Sequence, residues 1–173
     1  TEIPNGAPDN FITIGGRYFG ATTSEVRFSD GSGFNEVADF PADVNSNCPD
    51  TWTDNQIIVV VPAGAADGPI QVVRDDGEAD DTANDRGNSI PDFDVNSIVR
   101  PGLCGVLPSQ GVRGDTLDYE GINLNNNEAY FGTFHNNMDA DNSVFNNNTD
   151  GTAQVPNLET GATKTFTVSP ANA

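Results

Sequence analysis

Positive charge is scarce in this chain. Seven Lys and Arg stand against 26 Asp and Glu over 173 residues, a formal net charge of −19, and Lys164 is the single lysine. Neutralising a phosphate backbone takes clustered Lys and Arg, so nucleic-acid binding is excluded, and an anionic membrane surface is no better a partner. Long apolar runs are missing too. None approaches the roughly 20 residues of a membrane-spanning helix, and no window keeps the i, i+3, i+4, i+7 spacing of an amphipathic helix. There is one histidine, His135, in the loop-like stretch "GTFHNNMD". No "GxSxG" accompanies it, so a Ser-His-Asp site has no placed nucleophile. Carboxylate pairs for glycoside hydrolysis arise by chance among so many acids. The chain is therefore not expected to be an enzyme. It begins at Thr1 with no signal peptide, which reads as a processed or excerpted product.

Turn formers are abundant: 18 Gly and 11 Pro. Between them lie short alternating runs: "NFITIGG", "SEVRFSD", "QIIVVVP", "PIQVVRD", "PDFDVNS", "GVLPS", "DTLDYEG", "EAYFGTF" and "TKTFTVS". Period-2 alternation bounded by Gly, Asn, Asp and Pro predicts an all-β sandwich. In "TWTDNQIIVVVPAGAADGPIQVV", Trp52 enters a strand and anchors a core. Ile57 to Val61 then run as a buried strand, Pro62 stops pairing, Gly64 and Gly68 turn the chain, and Ile70 to Val73 return. The pattern repeats. "NFITIGGRYFG" is answered by "GDTLDYEGINL", and "VVVPAGAADGPIQVV" by "AQVPNLETGATKTFTV". Such spacing, about 95 to 105 residues, indicates two copies of one module.

These residues resemble the IPT/TIG family of immunoglobulin-like domains. The resemblance rests on "ITIGGRYFG" (Ile12 to Gly20), "VRF" (Val26 to Phe28), "WTDNQIIVVVPAG" (Trp52 to Gly64), "GPIQV" (Gly68 to Val72) and a closing "GNSIPDFDV" (Gly87 to Val95). It covers nearly all of residues 9 to 96. The second copy matches through "PSQGVRGDTLDYEGINL" and "AQVPNLETG" and lacks the Trp. The family implies two tandem immunoglobulin-like β-sandwiches, residues 1–96 and 97–173. Its members include transcription-factor, receptor and bacterial surface modules, so the fold alone leaves function open; the acidic charge argues against the DNA-binding branch.

Oxygen ligands crowd "DDGEADDTANDRGNSIPDFD", Asp75 to Asp94. Calcium takes six to eight hard oxygens from a flexible loop, so a calcium site would use Asp80, Asp81, Asp85 and Asp92; the competing reading is a solvated acidic hairpin. "NDRGNSIPDFD" is also similar to the calcium loops of thrombospondin-type repeats, with Arg86 standing where a ligand belongs. Asn136 to Asp150 is a second, weaker stretch of this kind. "NNT" at Asn147 fits the N-glycosylation rule. Cys48 and Cys104 are either buried thiols or one disulfide. The disulfide would close a loop of about 55 residues, worth roughly 3–4 kcal/mol by loop entropy, and fit an oxidising compartment.

Three functions follow. The first is a structural or adhesive subunit of an extracellular assembly. Its copies would join head to tail by strand addition, because the first module's opening strand looks missing or very short and the second has nothing after "TKTFTVSPANA". Either Thr1 to Pro8 or Thr163 to Ala173 would complete the neighbour's sandwich and build a non-covalent filament. The second is a carbohydrate-binding or spacer module of a larger secreted or surface protein, with glycans as partners. Phe11, Phe28, Trp52 and Phe166 fall at strand positions suited to core burial, which leaves Tyr130 and Phe134 as too few exposed aromatics for a sugar platform. The third, an enzyme, lacks a site. The chain is expected outside the cell or at its surface.

Overall fold

A computed structural model describes residues 4–84, 92–125, 127–133, 136–139, 141–145, 148–155 and 166–170. The chain is all-β and divides into two compact units, Thr1–Val99 and Arg100–Ala173. The divide falls shortly after the expected 96/97 boundary.

In unit 1, β1 (Asn5–Gly6), β2 (Phe11–Gly15), β3 (Glu25–Phe28) and β4 (Glu36–Val37) precede a one-turn helix, α1 (Pro41–Val44). Then come β5 (Thr51–Trp52), β6 (Gln56–Val60), β7 (Ile70–Val73), β8 (Ala79–Asp81), a 3-10 turn over Thr82–Asn84 and β9 (Asp94–Val95). One sheet runs β2-β6-β5 and the other β4-β3-β7-β8, with β1 parallel to β9. The apolar run "QIIVV" sits centrally because β6 is flanked on both sides, and its Ile57 and Val59 are fully buried. They join Val26, Phe28, Trp52, Val61, Ile70 and Phe93 in one core. Phe28 meets Phe93 edge to face at 5.4 Å, and Phe40 leans on Trp52 at 6.0 Å.

Part of the Asp75 to Asp94 stretch, residues 85–91, lies outside the described residues. The stretch opens as a hairpin, with β7 pairing antiparallel to β8. Arg74 N–H donates to Glu78 and Gly77 N–H to Arg74, with Gly77 at φ 86°. A two-acid stretch followed by Gly in the left-handed region is a hairpin turn.

In unit 2, β10 (Gly102–Leu107), β11 (Thr116–Ile122), β12 (Asn127–Thr133), β13 (Asn136–Asp139), β14 (Asp141–Phe145), β15 (Asp150–Gln154) and β16 (Phe166–Pro170) form two sheets, β10-β11-β15-β14 and β13-β12-β16. Leu117, Tyr119, Leu124, Ala153 and Val155 make the core, with Val106 and Val168 packed against it.

Tyr119 is fully buried. Burial, with Asp150 nearby adding to it, pushes its phenol up to about 12 from 10.0. Because the folded value is raised, the stability Tyr119 contributes is complete below pH 10 and is lost as pH climbs towards 12. A phenolate absorbance titration is therefore expected to show one late-ionising tyrosine whose titration coincides with loss of unit 2 structure. A set of tyrosines all titrating near 10 in the folded protein refutes this.

Candidate functional site

The two units repeat each other at the level of single hydrogen bonds. In unit 1, Asp9 N–H donates to Val61 (3.0 Å), Val61 N–H to Asn10 (3.0 Å) and Asn10 N–H to Ala7 (3.1 Å). In unit 2, Gly114 donates to Val155 (3.0 Å), Val155 to Asp115 (2.9 Å) and Asp115 to Val112 (3.0 Å). Further along, Gly16 donates to Asn55 and Phe19 to Asp54, as Gly121 does to Thr149 and Leu124 to Asn148. Left-handed residues recur at matching places, Asp9 with Gly114 and Tyr18 with Asn123. Two constant spacings cover all these pairs: 105 residues (114 minus 9) before the long loop of unit 1 and 94 (155 minus 61) after it.

This equivalence identifies β2 with β11, β6 with β15 and β5 with β14. The sheet β2-β6-β5 then matches β11-β15-β14 strand for strand. Unit 2 adds β10 on the outer side of β11, running antiparallel with Leu107 opposite Asp118, Val106 opposite Tyr119 and Gly105 opposite Glu120. Among the described residues, nothing occupies the same side of β2.

The hydrogen-bonding alternation of an antiparallel pair fixes which groups of β2 are left facing outward. Asn10 and Gly16 bond across to Val61 and Asn55, so Ile12 and Ile14 also bond to β6. The amides and carbonyls of Phe11, Thr13 and Gly15 therefore point away from the sheet.

Beside this edge lies a cleft of about 540 Å³. Ile14, Phe19, Ile70 and Val72 supply its apolar surface, and Arg17, Tyr18, Arg74, Glu78, Asp80 and Asp81 its polar rim. It opens between β2, the outer strand of one sheet, and β8, the outer strand of the other. Local sequence shapes the rim. A Cβ on Gly16 would come within 2.3 Å of the Phe19 ring, so only Gly lets that ring fold back onto the core. The chain then turns Tyr18 outward, at φ 65° and 73% exposed. A bulky residue in the left-handed region is uncommon, but its counterpart Asn123 adopts the same geometry at φ 56°, so the turn belongs to the repeat. Arg74 pairs with Asp76 at 2.7 Å, and its solvent-shielded Nε has no partner among the described residues.

The expected site residues fall as follows. Asp80 and Asp81 lie on β8 at the cleft rim; each carboxylate accepts a nearby backbone N–H, from Asp81 and Ala83. Asp92 is exposed, and Asp85 lies outside the described residues. Among the described residues, no three His, Cys, Asp or Glu gather as a metal site. Asn147, His135 and Phe134 also lie outside them. Neither cysteine is free; Cys48 and Cys104 are both disulfide-bonded. The sequence did not single out Tyr18 and Arg17, which it carries only within "ITIGGRYFG". The signal was the Gly-Gly-x-x-Phe-Gly spacing, which forces a reversal there.

No family model matches the chain, and no curated protein does. Among solved structures, it is similar to the surface glycan-binding protein PbSGBP-B from Prevotella bryantii, at 14% identity and TM-score 0.35 over 96% of this chain and 35% of that one. It is also similar to the plexin A4 extracellular region, at 16% and 0.36 over 91% and 12%. A third is SGBP-B from a xyloglucan utilization locus in Bacteroides uniformis, at 16% and 0.33 over 94% and 42%. The chain spans less than half the length of each. Likeness at this level assigns no function. Among the described residues, no helix is long and apolar enough to cross a membrane.

Proposed function

We propose that this chain is a structural spacer segment of a larger extracellular or cell-surface protein, a pair of β-sandwiches that acts by being joined to further modules. The observation that carries the reading is the edge of β2, which no described residue covers, at the position its own repeat covers with β10. An open edge beside an apolar cleft is an aggregation liability that proteins normally blunt. Bonded cysteines and strong negative charge suit an oxidising, aqueous exterior.

The head-to-tail filament expected from the sequence draws less support. Its two donor candidates are engaged within their own units: Asn5–Gly6 pairs with β9 and Phe166–Pro170 with β12. Donation to a neighbour would require one of these ladders to open first.

One observation favours a second reading, glycan binding. Tyr18 presents an exposed ring beside Arg17 at the rim of the cleft. An aromatic platform with a few convergent polar groups is the usual form of a small-ligand site.

Negative-stain images of the native material test the proposal. Rods or strings with sandwich-sized beads are expected; compact particles overturn it. Saturable oligosaccharide binding abolished by Tyr18→Ala would transfer the assignment to the second reading.

A further inference from the structure

Resting on the structural reading above, we propose that the cleft of unit 1 is a strand-acceptor groove. Its occupant is an extended peptide segment with the chemistry of Gly102–Leu107, laid antiparallel along β2.

Three observations carry this. The first is the internal template. In unit 2 the segment "GLCGVL" covers β11, with Val106 packed against the core cluster and Leu107 and Leu103 turned outward. Transferred by the spacing of 105 residues, Leu107 maps opposite Thr13, Val106 opposite Ile14 and Gly105 opposite Gly15. The occupant's Val106 counterpart thus enters the cleft over Ile14, and its Gly105 counterpart passes Gly15 without a side chain.

The second is continuity. β1 packs over the inner face of β2 next to this groove: a Cβ added at its Gly6 would sit 3.5 Å from the Ile12 side chain and 3.2 Å from the Phe93 ring. Asp94 N–H donates to Pro4, and Asn96 N–H to Gly6. Ile14 is the next same-face residue of β2 after Ile12, so the groove begins beyond the stretch of β2 that β1 packs against.

The third is the state of the backbone. Phe11, Thr13 and Gly15 offer three outward amides and three outward carbonyls in a row. Main-chain pairing to such an edge gives affinity, and pockets for alternate side chains give register. Ile14, Phe19, Ile70 and Val72 form one such pocket.

The test uses the intact chain and a synthetic peptide carrying residues 100–108 with Cys104→Ser. Adding the peptide is expected to slow amide hydrogen exchange at Thr13 and Gly15, the two outward amides its register reaches, by about tenfold or more, as new ladder bonds protect them. A peptide with Val106→Asp should leave both unchanged. Thr13→Pro in the protein removes one outward amide at a position where an edge strand tolerates proline, and should abolish the effect while Trp52 fluorescence stays native. If the parent peptide protects neither amide at millimolar concentration, or the Val106→Asp peptide protects them equally, the groove is not a strand acceptor. Beaded rods with no peptide effect would leave the structural reading standing and remove this one. Protection by peptide without rods would do the reverse. A soluble glycan protecting the same amides in place of the peptide also overturns it.

Discussion

Phe28→Ala is expected to cost unit 1 about 3–5 kcal/mol, the usual range for emptying a fully packed aromatic site. Phe28 is 1% exposed and holds Phe93 edge to face at 5.4 Å. Phe93 in turn bridges back to Gly68 through a reciprocal backbone pair at 2.9 and 3.0 Å, next to the short β9. The loss therefore does more than leave a cavity. It removes the ring that seats the closing strand of the sandwich, and β1, whose ladder partner is β9, loses its support as well. A domain of about a hundred residues has total stability on the order of 5–15 kcal/mol, so the unit should be close to unfolding. The chain has one tryptophan, Trp52, and it lies in this same core, so its fluorescence reports unit 1 alone. With a urea m-value of roughly 2 kcal/mol/M, the Trp52 midpoint should fall by about 2 M. A midpoint unchanged within about 0.3 M would mean that Phe28 is not seated as described.

Most of this architecture could be read from the sequence because period-2 alternation and turn residues act locally. "QIIVV", "EVRF" and "TLDYEGI" became strands with Val26, Phe28, Ile57, Val59, Leu117 and Tyr119 turned inward. The repeat was legible through "GG-x-x-F-G" and "EG-x-x-L", and its cause is the pair of hydrogen-bonded clasps that the two sequences share. The short strands were not legible. Glu36–Val37 and Ala79–Asp81 carry no alternation; β3 and β7 recruit them as partners. The site was illegible for a related reason. An uncovered edge is a fact about what pairs with what, and "NFITIGG" reads alike with or without a strand beside it. Tyr18 was hidden because its exposure follows from Gly16 admitting the Phe19 ring, a contact that no propensity registers.

Gly121→Val is expected to detach β10 from unit 2. Gly121 lies opposite Leu103, at the bulge between Leu103 and Gly105. There the chains approach so closely that even a Cβ would meet the Gly102 carbonyl oxygen at 2.0 Å and the Leu103 Cα at 3.2 Å. Both are backbone atoms, so no rotamer change relieves the clash, and the strand must move. Overpacking in a core costs about 1–3 kcal/mol when side chains can yield; here they cannot, so a loss at or above the top of that range is expected. Gly102 and Ile122, buried at this end of the pair, would be exposed. Gly105→Ala is the control on the same ladder. Its Cβ would meet only the Glu120 Cβ, at 3.6 Å, an ordinary contact, and the unfolded chain loses freedom with the substitution, so stability should change by less than about 1 kcal/mol. Hydrogen exchange separates the two. Gly121→Val should abolish protection along Gly102–Leu107 and expose the outward amides of Asp118 and Glu120, giving unit 2 the same edge that, among the described residues, unit 1 leaves bare at Thr13 and Gly15. Gly105→Ala should leave protection intact. Equal protection of β10 in both variants would show that the close approach at Gly121 does not hold the strand. The detached variant also bears on the groove in unit 1: a peptide of residues 100–108 that protects β2 should then protect β11 as well, because the two edges share one pattern of backbone groups.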